Sequence, residues 1–381
     1  MRELIDVALT HQLDELAAFK PNGFPVISLY LDARPDQRGR DNFDSFVRKE
    51  FAARAKSFAP DTPERASFES DAARIRVYLR EELRRSANGL AVFACAGADN
   101  YFKAVQLDAP ISRHRLHVAE RPHLYPLARL IDQYPRYVAL LADTNSARLF
   151  VFGLGRALGG EEVSGVKVSR TQVGGWSQMR YQRHVENYHL HHAKEVVGVL
   201  ERVVHEEAAE HVVLAGDEVI IPLLREQLPP RLADKVIDVL RLDIRTPEHE
   251  VLRATMEALR EHNVQTDAER VRRLLDQYRA GGLAVVGLRD TLTALYRGQV
   301  DELLLSASAR EIRCDDEELE GNHAEDAPHD QLVLRGREPH LAAADMLVTR
   351  ARLTGAGVTF IEDPALLADV GGVGTLLRYR L

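Results

Sequence analysis

The chain has 381 residues, 45% of them hydrophobic and 28% charged, with a formal net charge of −8. That is ordinary globular composition with room for two or three domains, and no overall basic field announces a nucleic-acid partner. Cys95 and Cys314 lie too far apart in the chain for a disulfide framework, no stretch reaches the roughly 18 apolar residues of a membrane span, and the first residues alternate charge with apolar side chains rather than forming a signal peptide, so a cytoplasmic protein that touches no membrane is expected.

An N-terminal α/β domain is expected over 1–134. It opens with Leu4, Leu9, Leu13 and Leu16 at helical spacing. Residues 25–31 and 89–95 are apolar runs that read as buried strands, and two charged helical stretches, 43–55 and 63–85, lie between them.

The second expected domain covers 135–263. Strands are predicted at 137–142, 147–152 and 163–168, with Asp143-Thr144-Asn145-Ser146 as the first turn. A long helix at 185–209, a strand at 211–216, a helix at 219–227 and a strand at 236–242 follow. Thr246-Pro247-Glu248 then reads as a helix start, with Thr as N-cap and Pro at the first helical position. The order β-β-β-α-β-α-β-α describes an RNase H-like α/β layer.

The third expected domain, 264–381, reads as an α/β/α sandwich. Thr266-Asp267-Ala268-Glu269 has the spacing of a capping box. Helices are predicted at 283–297 and 341–354, strands at 302–306 and 358–361, and a last strand after Gly371-Gly372. Residues 301–330 hold eleven acids against Arg310 and Arg313, a net of −9 that leaves the rest of the chain near +1. This stretch reads as a solvated, partly disordered insertion. Cys314, His323 and His329 within it are too irregular for a structural zinc site.

The most unusual segment is Val173-Gly174-Gly175-Trp176-Ser177-Gln178-Met179-Arg180-Tyr181-Gln182-Arg183-His184. Adjacent glycines admit backbone dihedrals closed to other residues. A glutamine amide both donates and accepts, so Gln178 can orient a water or hydroxyl beside an ester without being a general base. The plain alternative is that Gly174-Gly175 is only a connector. The flanks argue for more. Between 167 and 194 stand Lys167, Arg170, Arg180, Arg183 and Lys194 against the single acid Glu186, together with His184, His189, His191 and His192. Phosphate-rich partners reward such a cluster. Arg180, Arg183 and His184 share a helical face if the helix begins there. Trp176, the only tryptophan, suits either base stacking or an anchor for the loop. The histidines lack the companions of a metal motif and read as a solvated or phosphate-facing helix. Asp143 and Asp217 are the carboxylates a nuclease would use, but they sit where a turn and a helix N-cap are wanted.

The domain order resembles that of the class-1 peptide-chain release factors of archaea and eukaryotes, with Pelota and its bacterial counterparts. Two regions carry the resemblance. Gly174-Gly175-Trp176-Ser177-Gln178, followed by the Arg/His-rich helix, is similar to the release-factor Gly-Gly-Gln loop, and closer to the Ser-Gln variant of the peptidyl-tRNA-cleaving factor of ribosome quality control. Residues 291–300, 302–306 and 371–379 look like the release-factor domain with the fold of the kink-turn-binding ribosomal proteins. The resemblance implies that Gln178 promotes attack on the ester between peptide and tRNA, with Gly174, Gly175 and Ser177 shaping its loop. It places Trp176, Arg170, Arg180, Arg183, His184 and Lys194 against tRNA or rRNA. The implied partners are the ribosome, peptidyl-tRNA and a translational GTPase or other ribosome-associated factor, and no cofactor is implied. Trp176 and Ser177 stand between the glycines and Gln178, and the first domain has no Asn-Ile-Lys-Ser stretch for stop-codon reading. Rescue or quality control is therefore expected over ordinary termination, with a non-catalytic ribosome-binding factor and a nuclease acting on the tRNA end as the alternatives.

Overall fold

Among the described residues, apolar runs of strand length build three separate sheets. The computed structural model describes residues 5–36, 41–164, 177–314 and 339–380; at 5–8, 164 and 177–186 it describes the backbone alone. Residues 134–266 form one compact unit, and residues 7–133 with 267–381 form another.

In the N-terminal segment β1 (Val26–Asp32) and β2 (Gly89–Cys95) are the apolar runs foreseen, and they pair antiparallel with Ile27 opposite Ala94. Two strands not expected from the sequence, β3 (Tyr101–Leu107) and β4 (Arg115–Ala119), complete the order β3-β2-β1-β4. Helix α1 (Ile5–Ala18) buries Leu9, Leu13 and Leu16. Helices α2 (Asp44–Ala55) and α3 (Pro63–Glu81) cover one sheet face, setting Phe51, Phe68 and Ile75 against Ile27, Leu29 and Val92. Thr62 caps α3 by accepting from Arg65 N, and Pro63 occupies the first helical position. Because side chains alternate along a strand, Ser28, Tyr30 and His117 face the other way. A further unexpected helix, α4 (Tyr125–Gln133), follows.

The central unit has the RNase H-like arrangement. Strands β5 (Tyr137–Ala142), β6 (Ser146–Gly153) and β7 (Arg156–Ser164) form an antiparallel meander, and β8 (His211–Gly216) and β9 (Val236–Leu240) add in parallel, giving the order β7-β6-β5-β8-β9. The third strand lies earlier than 163–168. Its Gly159-Gly160 and Glu161-Glu162 hid it, since this is an edge strand with polar residues on both faces. Helix α5 (Ser177–Glu206) begins eight residues before the expected 185. It packs on one sheet face with α6 (Ile220–Gln227), through Ala193, Val196, Leu200 and Leu224; the short α7 (Pro230–Ala233) adds Leu232. Val251 and Leu259 of α8 (Glu248–Arg279) cover the opposite face.

The predicted helix start at Thr266 is corrected. Helix α8 runs unbroken for 32 residues, with neither glycine nor proline inside it. Thr266 sits mid-helix, and its hydroxyl donates to His262 O at 2.9 Å, so the capping-box spacing is coincidental.

The C-terminal sheet has the order β10-β13-β11-β12, with β10 (Ala284–Val286), β11 (Val300–Ser306), β12 (Gly357–Ile361) and β13 (Val373–Leu377). The helix expected over 283–297 divides into β10 and α9 (Leu288–Tyr296), separated by Gly287 at φ 83°. Val271 and Leu274 of α8 pack on one face against Leu304 and Leu376. Helix α10 (Pro339–Leu353) buries Ala343, Leu347 and Val348. The first residues of the acidic stretch belong to β11, while 315–338 lie outside the described residues.

Candidate functional site

Helix α5 carries most of the described candidate residues. Gly174, Gly175, Trp176 and Arg170 lie outside the described residues, as does Lys167. Ser177 and Gln178 form the first turn of the helix rather than part of the connecting segment. From Gln178 to Ala193, the first apolar residue among the described side chains of α5 to join the core, the axis rises about 22 Å.

At about 100° per residue, the positions of Arg180, Arg183, His184, His191 and Lys194 fall within one band roughly 100° wide. The buried positions Ala193, Val196, Val197, Leu200, Val203 and Val204 occupy the other side. His191 and Lys194 are exposed, as that geometry requires. The helical backbone thus puts the five positions of that band on one side of α5. Gln178 falls at the azimuth of the buried positions, and Ser177 falls beside the band. His192 departs from the reading of a solvated histidine helix: it is 2% exposed, and neither ring nitrogen has a hydrogen-bond partner among the described residues. The hydroxyl of Tyr188, one turn earlier, is buried and likewise has no partner among the described residues.

The two carboxylates weighed for nuclease chemistry serve local structure. Asp143 Oδ1 accepts from Asn145 N and Ser146 N, both at 2.7 Å. Asp217 Oδ1 accepts from Val219 N and Ile220 N, both at 2.9 Å, at the start of α6. A groove of about 410 Å³ in the same unit is lined by Arg148, Phe150, Glu161, Glu162 and Glu248. Its cation is already engaged, since Arg148 Nη1 donates to Ile244 O and Thr246 O.

Two polar clusters in the other unit were not legible in the sequence. His117, His123 and Asp345 bring potential ligand atoms within 4.8 Å of one another. His123 Nδ1, however, stands 2.5 Å from Asp345 Oδ2. Two ligands on a common zinc stand about 3.3 Å apart at tetrahedral angles, so this is a hydrogen-bonded pair rather than a ligand set. Asp345 Oδ1 also accepts from Tyr125 N, and Ser28 Oγ accepts from His123 N, both at 2.9 Å. The second cluster closes a sheet edge. Asp132 accepts from Phe360 N at 3.1 Å and Asp267 from Glu362 N at 3.4 Å, so two carboxylates take outward N–H groups along edge strand β12. Burial pushes the Asp132 carboxyl up to about 7 against the hydrogen bond from Phe360 N, and burial raises Asp267 as well. No described helix is long and apolar enough to cross a membrane.

Residues 122–260 match the family described as bacterial archaeo-eukaryotic release factor family 10. That span runs from just before α4 to within α8 and contains the whole central sheet. No curated protein matches the chain. Among solved structures it is similar to an archaeal translation termination factor, aRF1, at 17% identity over 98% of each chain, TM-score 0.28. It is also similar to S. cerevisiae Dom34, described as a translation termination-like factor involved in RNA quality control and interacting with Hbs1, at 10% identity over 77% of this chain and 79% of that one, TM-score 0.43. Archaeal Pelota in its ribosome-bound form with ABCE1 matches at 16% identity over 100% of this chain and 96% of that one, TM-score 0.40.

Proposed function

From its kinship with the bacterial archaeo-eukaryotic release factors, carried by residues 122–260, we propose that this chain acts at the ribosome in rescue or quality control and promotes hydrolysis of peptidyl-tRNA. The observation that carries the reading is α5. One helix inside the matched span carries Arg180, Arg183, His184 and Lys194 at a spacing that puts their positions on one side, and Gly174-Gly175-Trp176 immediately precede it in sequence. That side would lie along tRNA or rRNA phosphates, where each guanidinium or ammonium displaces counterions. Gln178 would orient a water or the terminal ribose hydroxyl beside the ester, acting by position rather than by proton transfer. Trp176 would stack on a base, and Arg170 would extend the phosphate contacts. The segments 1–134, 135–263 and 264–381 would act as three functional blocks, the last meeting a translational GTPase or other ribosome-associated factor. Placement on ribosomes makes this a cytoplasmic protein.

Gln178→Ala is expected to abolish peptide release from stalled ribosome–nascent-chain complexes while ribosome binding changes little. Equal release by the variant and the parent would sink the role of Gln178. A non-catalytic ribosome-binding factor is the second reading. It is favoured by the helical setting of Gln178, which differs from the loop expected of a residue that enters a catalytic centre. In that case ribosomes are bound and the parent protein frees no peptide. Mass spectrometry of released peptide separates hydrolysis from cleavage of the tRNA end, which would leave a nucleotide attached.

A further inference from the structure

At one end of the C-terminal sheet three helices stop together. Helix α8 ends near Gly281, α9 at Gly298 and α10 near Gly355, each glycine at φ 64°. A Cβ added at any of the three would meet nothing within 4 Å. These glycines therefore serve the left-handed turn that ends a helix rather than close packing. The residues after β13 cross the same end. Arg378 N donates to Gln299 O at 2.8 Å and its Nη2 to Gly355 O at 2.6 Å. Arg380 Nη1 donates to Gly281 O, and Gln299 Nε2 donates to Tyr379 O at 3.4 Å. These bonds join the three turns and the last residues into one surface.

That surface has two properties a free surface does not need. It concentrates apolar exposure: among the described residues, five of the eight exposed large hydrophobics are here, namely Tyr278 (47%), Leu283 (41%), Tyr296 (36%), Leu353 (48%) and Tyr379 (46%). Scattered singly such residues mean little, but gathered they mark a binding site. It also carries uncompensated charge. Arg279, Arg297 and Arg380 have no carboxylate partner among the described residues, and Arg378 faces only Asp301, at 3.6 Å. The helix-end carbonyls account for part of this arginine content. Neutral carbonyls still leave each positive charge in place, in a chain whose net charge is −8.

We propose that this end of the C-terminal sheet binds RNA through unpaired nucleotides. Guanidinium groups take phosphate oxygens two at a time, and exposed tyrosine rings stack on bases that are free of a helix. Arginines interleaved with tyrosines supply both contacts at once. Tyr278 and Tyr379 are the stacking rings; the face of Tyr296 is already covered by Arg350, whose guanidinium carbon lies 4.2 Å from the ring centre. The inference does not depend on peptide release or on Gln178.

The test uses the full chain and an unstructured, end-labelled oligouridine of about 12 nucleotides, with binding read by fluorescence anisotropy across a salt series. Arg279→Glu combined with Arg297→Glu is expected to weaken binding about ten-fold or more and to flatten the salt dependence by one to two units of log–log slope. Arg279→Gln with Arg297→Gln should give a smaller loss in the same direction and guards against a folding defect, which circular dichroism would reveal. Crosslinking with 4-thiouridine should mark Tyr278 or Tyr379. Binding unchanged by both double variants, crosslinks confined to α5, no oligouridine binding by the parent even at low salt, or a preference for a duplex of the same length would each overturn the proposal. Because no ribosome is present, its failure is distinct from failure of the hydrolysis reading.

Discussion

Helices α5 and α8 are nearly equal in length, 30 and 32 residues, yet they are built on different plans. Helix α5 serves one sheet. Its buried residues from Ala193 to Val204 keep one stripe, and the exposed His191 and Lys194 lie away from it. Helix α8 serves two. Its first half gives Val251 and Leu259 to the central sheet, and its second half gives Val271 and Leu274 to the C-terminal sheet. The repeat of buried positions does not carry through from one half to the other. A helix with a single client therefore shows its period in the sequence, and one with two clients looks like two helices with a cap between them.

The largest test of that contrast is Thr266→Pro. A proline in the interior of a continuous helix removes a hydrogen bond and clashes with the carbonyl four residues earlier, so a loss of about 3 kcal/mol or more is expected in urea unfolding. Near-parent stability would mean that α8 is two helices after all.

A middle-sized effect should come from the carboxyl pair that α8 shares with α4. Asp132 is raised to about 7 from a usual value near 4, so the folded state binds more protons between those values. Its contribution is a stability loss that begins as pH rises past about 4 and is complete above about 7. Asp132→Asn keeps an oxygen for Phe360 N and removes the buried charge. It is expected to gain a few kcal/mol at pH 8 and nothing at pH 4. Parallel stability–pH curves for variant and parent would contradict this.

The smallest effect is the most telling for α5. Ser177→Pro should cost under about 0.5 kcal/mol, because the first helical position has no intrahelical N–H bond to lose. A cost of several kcal/mol would place the helix start elsewhere, and with it Gln178.

The strands that were legible are those buried along most of their length, such as Val26–Asp32, Tyr137–Ala142 and His211–Gly216. Those missed or shifted sit at edges or are short. Tyr101–Leu107 and Arg115–Ala119 flank their sheet, Arg156–Ser164 carries glycines and glutamates, and Ala284–Val286 has three residues. In the candidate site, the charge cluster is visible because it is local in sequence, and the backbone of α5 gives its positions from 180 onward helical spacing. The helical setting of Ser177 and Gln178 was not readable, since the adjacent glycines argue for a turn. The His123–Asp345 pair and the Asp132 bond to Phe360 N join residues 222 and 228 positions apart. Only the assembled fold brings them together.

Closure of β12 by Asp132 and Asp267 bears on how the protein survives crowding. An open strand is a template on which any passing extended polypeptide can zip, the first step toward fibrous precipitates. Here an incoming backbone finds the donors of Phe360 and Glu362 already spent, and it meets two acidic side chains where its own carbonyls would need to dock. The same burial that makes those acids reluctant to ionise keeps stray chains from growing onto the sheet.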